Sequence, residues 1–439
     1  MPVTIRWRQG VIFFLCVLCA AAMVYYHLCL FVPRAMEVRA AQGFSEGHSF
    51  GADFYPIWLT SRRALLVHHD PYSASMTRRI QVGLFGRTLD LGPADLRDYR
   101  AFAYPAFVDL LFWPLALLPF SLVRIGLAVI LPAATAISVV LWLRSFRLRV
   151  KLFTLGSLTL LTLSSYVVLE GLFAEQVGLL VGFLLAASLT ALVGGRSFFS
   201  GSLLALTLIK PQMTILVIAY LLLWSFRQGR ARWRFLGGFV FVAALLGFSS
   251  VLVWPHWISE WLQVLFRYRQ YSTPPLVCYL LGDQMGPRLG PFLIAALLVA
   301  ASVLAWRMRD VSATSAEFAL TISLLLAVTT ITLLPGHAVY DHVVLLPGVI
   351  LIALSWRSFA TSRLFRVVLG ATALALLWPW IYAPVVIAVR PLLSRQVFLS
   401  DVLTLPIRTA GSIPFGVLVL LGLMMREVTR RKKLVIESG

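Results

Sequence analysis

The sequence predicts an all-α polytopic membrane protein, one membrane domain over residues 1–439 with a single large loop at 33–104. Three observations carry that prediction. Of the 439 residues 60% are hydrophobic and only 13% are charged, where a soluble domain is about 45–50% apolar. Apolar runs of about 20 residues, the length that crosses a hydrocarbon core as a helix, recur along the chain. The 38 Lys and Arg against 18 Asp and Glu gather where such runs end, as they do in the cytoplasmic loops of membrane proteins.

The first run covers residues 11–32 behind Arg6 and Arg8. It is too long for the core of a cleaved signal peptide, so it reads as a retained first helix. Cys16, Cys19 and Cys29 fall inside it. With Cys278 they are expected to be small buried hydrophobes rather than a redox or metal pair. The loop 33–104 follows. Residues 105–120 contain Pro105, Pro114 and Pro119 and are short, which suits a half-inserted segment better than a crossing. Further runs lie at 121–143, 152–169, 173–193, 235–254, 289–306, 317–334, 341–355, 365–389 and 410–425. Residues 197–224 are apolar but broken by Lys210-Pro211. The whole predicts about ten to twelve membrane segments, two of them partial.

Basic clusters at Arg6–Arg8, Arg144–Lys151, Arg227–Arg234, Arg307–Arg309, Arg357–Arg366 and Arg426–Lys433 all fall in the cytoplasm if 105–120 does not cross and 197–224 returns on itself at Lys210. The net charge of +20 is thereby a topology signal, and nucleic acid is excluded as a partner. The loops that alternate with these clusters then share the outer face: 33–104, the turn at Glu170–Gln176, 255–288, the turn at Leu334–Asp341, and 390–409. Glu37, Glu46, Asp53, Asp70, Asp90, Asp95 and Asp98 all lie in the first of them.

The dinucleotide, P-loop and zincin motifs are absent from the sequence. An outer-face enzyme without a nucleotide site needs an activated donor already in the membrane, and a sugar on a polyprenyl phosphate meets that need. Such a transfer requires a carboxylate to take the acceptor's proton and a cation to hold the departing phosphate. Asp53, in Gly51-Ala52-Asp53-Phe54-Tyr55-Pro56 just after the first span, is the candidate base; the competing reading is a helix-capping aspartate. Lys210 is the candidate phosphate ligand, because a lysine amid apolar residues is costly; the competing reading is an internally paired or snorkelling lysine. His337, Asp341 and His342 form a third cluster, with His337 and Asp341 sharing a face if the segment is helical. It is a poor metal motif and no metal or cofactor is expected. Glu170, Glu175 and Gln176 form a shorter outer turn, where hydrogen bonding to sugar competes with ordinary interface solvation.

At these residues the chain resembles glycosyltransferase family 87, the polyprenyl-phosphate-mannose-dependent mannosyltransferases with the GT-C membrane fold. The resemblance runs in order through Gly51-Ala52-Asp53-Phe54-Tyr55, His69-Asp70-Pro71-Tyr72, Tyr104-Pro105, Pro114-Leu115-Ala116, Glu175-Gln176, Lys210-Pro211-Gln212 and Tyr340-Asp341-His342. It departs from the family where Glu175-Gln176 replaces a frequent Gly-Gln and Tyr104-Pro105-Ala106 replaces Tyr-Pro-Pro. The resemblance implies a GT-C-like bundle and an extracytoplasmic transferase of a bacterial inner membrane, with Asp53 as general base. Tyr55, Tyr72, Glu175, Gln176, Gln212, His337, Asp341 and His342 complete the expected substrate-binding set. The expected partners are a polyprenyl-phosphate-sugar donor, a lipid or glycan acceptor and membrane lipid, with mannose the family's best-known sugar. The alternative is a membrane transporter or lipid flippase, since broken helices with a central charge also mark transport sites.

Overall fold

The computed structural model describes residues 3–41, 51–90, 99–226, 230–360, 362–392 and 405–437. Among them the regular structure is helical throughout. Helix α1 (Val3–Tyr25) runs through a π-helical turn (Tyr26–Phe31) into α2 (Val32–Ala41), so the first span is longer than its apolar run. Within it Cys16 and Cys19 are half-buried and Cys29 is exposed, correcting the expectation of buried thiols: a cysteine is apolar enough to face lipid.

The described part of the first loop is not irregular. It folds into α3 (Tyr55–Val67) and α4 (Ala74–Phe85), the latter capped where Ser73 Oγ accepts from the Met76 amide at 3.1 Å. Of the acidic residues expected in this loop, Glu46, Asp95 and Asp98 lie outside the described residues. Residues 105–120 form the short helices α5 (Phe107–Leu111) and α6 (Trp113–Ala116). At 1.5 Å per residue neither approaches the roughly 30 Å of a hydrocarbon core, so this segment does not cross.

Then come α7 (Phe120–Ser145), α8 (Leu152–Leu163), α9 (Tyr166–Phe173) and α10 (Val177–Val193). Helices α8 and α9 meet at 53° and together have the length and composition of one span. Helices α11 (Ser197–Leu206) and α12 (Ile215–Ser225) flank the Lys210 break, followed by α13 (Arg230–Val253), α14 (Trp257–Tyr271), α15 (Leu276–Arg307) and α16 (Ala316–Thr332). The expected outer loop 255–288 is therefore largely helical. A 3₁₀ turn (Val339–Leu345) leads into α17 (Leu346–Ser355), and α18 (Arg363–Val389), α19 (Leu405–Ala410) and α20 (Ile413–Glu437) complete the bundle. Among the described residues six helices are long and apolar enough to span on their own, and the bent pair, taken as one span, makes a seventh. Their outward faces carry large apolar side chains such as Phe241, Phe248 and Phe292, as lipid-facing surfaces do.

The broken segment takes the course its composition predicts. Helix α10 starts beside Gln176, and at its far end Ser188 contacts α11, the Ser200 hydroxyl donating to Ser188 O at 2.7 Å. Helix α11 then climbs to Lys210, which meets Gln176 and Asp341. Helix α12 descends to Trp224, whose indole donates to Val311 O at 2.9 Å, just ahead of α16. Both ends of the segment thus lie at the opposite end of the bundle from Lys210. Glycines allow the tight packing this needs: Gly201 rests on the Phe235 carbonyl and Gly238 on the Phe198 carbonyl, where any Cβ would collide.

This course, with the basic clusters, predicts that reporter fusions after Arg149, Arg230, Arg309 and Arg363 read cytoplasm and fusions near Asp90 and Asp283 read the outer side. Arg395, for which an outer reading is also expected, lies outside the described residues. An outer reading at Arg230 would contradict the return at Lys210.

Candidate functional site

The site begins at the end of α9. Its last turn closes as a Schellman motif, with the Gln176 amide donating to Gly171 O at 2.8 Å and the Glu175 amide to Leu172 O at 3.2 Å. That closure leaves two carbonyls for another segment. Phe173 O accepts from the Gly51 amide at 3.0 Å and Ala174 O from the Asp53 amide at 3.2 Å. Gly51 has φ +76°, a left-handed conformation that glycine adopts without strain. Its carbonyl receives the amides of Phe54 and Tyr55 at 3.1 Å and starts α3. Asp53 is thereby fixed against the α9–α10 turn.

From Asp53 a chain of polar contacts crosses five separate segments. Arg100 Nη1 lies 2.5 Å from Asp53 Oδ1. The Gln176 side-chain amide donates to Asp53 Oδ2, while its carbonyl accepts from Lys210 Nζ at 3.0 Å. Lys210 Nζ also donates to Asp341 Oδ1 at 2.6 Å and lies 5.1 Å from the Tyr340 ring centre, within cation–π range. Side-chain exposure is higher at one end of the row, 30% for Arg100 and 12% for Asp53, than at the other, 8% for Lys210 and 1% for Asp341. One end opens to solvent and the other is sealed in the bundle.

Each position has a local cause. Pro211 lacks an amide hydrogen and Lys210 leaves the helical region (φ −136°, ψ 73°), so the helix breaks there and the ammonium turns inward. The Thr207 and Thr214 hydroxyls meet across the break at 3.2 Å. Asp341 sits in the 3₁₀ turn before α17. Burial opposes ionisation of Asp53, but the Arg100 charge and the hydrogen bonds from Gln176 and Arg100 prevail and hold its carboxyl below the usual carboxylate range. Burial, then the Asp53 and Asp341 carboxylates, push the Tyr104 phenol well up.

The structure brings together Asp53, Gln176, Lys210 and Asp341 of the expected set and places the others apart from the chain. Tyr55 lies in an aromatic core, its hydroxyl over Gly83 and its ring 5.1 Å from Phe120. Tyr72 is buried and donates to Tyr104 O at 2.9 Å, so it braces the segment that carries Arg100. Gln212 is exposed. His337 does not share a helical face with Asp341, because the residues before the 3₁₀ turn are not helical; its Nδ1 meets Thr273 Oγ1 at 2.5 Å. His342 is buried, its Nε2 without a hydrogen-bond partner among the described residues. Asp53 is not a helix cap either, since its carboxylate accepts from side chains and α3 has no side-chain cap. Arg100 is the member that sequence reasoning missed. It is one arginine among several in the first loop, and only folding singles it out.

A family model for glycosyltransferase family 87 matches residues 102–335. The matched stretch contains Gln176 and Lys210. No curated protein and no solved structure matches the chain.

Proposed function

The chain belongs to glycosyltransferase family 87, and from that premise we propose that it transfers a sugar from a polyprenyl-phosphate donor to a lipid or glycan acceptor at the outer face of the inner membrane. Mannose is the first sugar to test. The observation that carries the reading is the continuous chain from Arg100 through Asp53, Gln176 and Lys210 to Asp341. It joins a carboxylate at the solvent-open end to a lysine deeper in the bundle, the two charges that transfer from a lipid phosphate requires.

In this reading Asp53 takes the proton from the acceptor hydroxyl as that oxygen bonds to the sugar's anomeric carbon. The bond from that carbon to the phosphate oxygen breaks, and the lipid phosphate leaves with the electron pair. Lys210 and Arg100 are the cations at hand to hold it. Gln176 links base and cation so that neither turns independently. The direct test is incubation of the purified protein with labelled polyprenyl-phosphate sugars and extracted membrane lipids. Labelled product from a lipid-phosphate sugar is expected, and product from nucleotide sugars alone would overturn the donor class.

Arg100 supplies a second test. It opposes the burial that would raise the Asp53 pKa, and Asp53 works ionised, so transfer is lost as pH falls through that pKa. In Arg100→Gln the pH of complete loss is expected to move upward. A pH–rate profile of kcat/KM checks this, and an unmoved limb would detach Arg100 from Asp53.

A further inference from the structure

Glu175 occupies a costly position for its chemistry. It is the residue after the α9 cap, where glycine is favoured, and its φ is +53°. A non-glycine residue held there costs about 1 kcal/mol. Its side chain is fully buried, and neither carboxyl oxygen has a hydrogen-bond partner among the described residues. The carboxyl lies against Gly51, where an added Cβ would stand 2.5 Å from Oε2. Arg124 Nε, in the second turn of α7, lies 3.9 Å from Oε1. Glu175 therefore stands where α7, the end of α9 and the hinge of the Asp53 segment meet.

We infer that Glu175 and Arg124 form a clamp that positions Asp53, making Glu175 a positioning residue for the transfer. The inference rests on Asp53 being the base. Ionised, the Glu175 carboxylate draws in Arg124 and fixes α7 against Gly51, two residues before Asp53. Protonated, it releases Arg124, and Gly51 loses the neighbour that holds its approach. A small displacement of a catalytic group is enough to slow a reaction many-fold. Among the described residues, the charged groups these elements carry around Glu175 include Arg124 on α7, Asp53 beyond Gly51 and, on α9 itself, Glu170, whose Oε1 accepts from the Tyr166 hydroxyl at 2.9 Å. Asp53 is already engaged by Arg100 and Gln176, which leaves Arg124 as the partner the clamp uses. Burial pushes the Glu175 carboxyl up to about 7, against the opposing pull of Arg124, so the clamp closes as pH rises through neutrality.

The experiment is a pH profile of kcat at saturating lipid-phosphate sugar for the wild type, Glu175→Gln, Arg124→Met and the double variant, with donor KM alongside. In the wild type kcat is expected to fall about tenfold as pH drops through about 7, above the complete loss set by Asp53. Both single variants should sit on the low plateau without that step and with donor KM unchanged. The double variant should be no worse than either, because the two residues act as one unit. Additive losses, or a Glu175→Gln enzyme that keeps both the wild-type rate and the step, would overturn the clamp. Should the variants fail to fold, a wild-type kcat flat from about pH 5.5 to 8.5 overturns it alone. Asp53→Asn run in parallel separates the failures: if it remains active the assignment of the base is wrong, and if it is inactive while Glu175 variants match the wild type only the clamp is wrong.

Discussion

Asp53→Asn is expected to reduce transfer by about 10²–10⁴-fold while leaving the protein folded and able to bind donor. Asn has the shape of Asp and almost none of its basicity, and a hydroxyl acceptor is a poor nucleophile until its proton has somewhere to go. The site makes the test cleaner than a capping aspartate would allow. Asp53 accepts from Arg100 and Gln176 rather than from backbone amides, so the substitution does not uncap α3. It does place an amide that donates opposite two donors. The simplest relief is rotation of the new side chain so that its oxygen keeps one partner, at a cost on the order of 1 kcal/mol. A modest fall in Tm with unchanged donor binding is thus part of the expected result. Asp53→Glu should recover part of the rate if reach is the remaining limit. A wild-type turnover in Asp53→Asn would move the base elsewhere, first to Asp341 or Glu175.

The bundle was legible in the sequence because lipid imposes a simple code. Long apolar runs and the partition of Arg and Lys sufficed to read 105–120 as not crossing and 197–224 as returning at Lys210, and the short helices α5 and α6 and the descent of α12 to Trp224 agree. Helical structure in the loops was not legible. Helices α3, α4 and α14 have mixed composition and owe their burial to contacts far along the chain, such as the Trp261 indole donating to Ala103 O at 3.0 Å. Within the site, Asp53 and Lys210 stood out because each is a charge beside apolar sequence, which is costly unless used or paired. Arg100 and the identity of Asp341 as the partner of Lys210 were invisible because they are spatial, the latter two being 131 positions apart. The grouping of His337 with Asp341 failed because it assumed a helix where the chain makes a loop and a 3₁₀ turn.

Lys210→Met is expected to be the more damaging substitution for stability. Taken alone, the sequence makes it look mild, since a methionine suits an apolar helix. The structure reverses that expectation, because Lys210 and Asp341 are 2.6 Å apart and nearly sealed from solvent. Removing the ammonium strands a carboxylate in the bundle, and breaking a buried pair from one side costs about 3–5 kcal/mol. The single variant should show a marked loss of folded yield in detergent, so its low activity would say little about donor binding. Pairing the change with Asp341→Asn removes the stranded charge along with the ammonium. The double variant is therefore expected to regain most of the yield and Tm while transfer stays depressed, the deficit appearing mainly as a raised donor KM if the contact is made equally in ground and transition states. Two outcomes would count against this account. A wild-type Tm for Lys210→Met would mean that Asp341 is not a buried charge, and a double variant with wild-type donor KM would mean that the lysine serves the bundle alone and the phosphate is held elsewhere, with Arg100 the next cation to substitute.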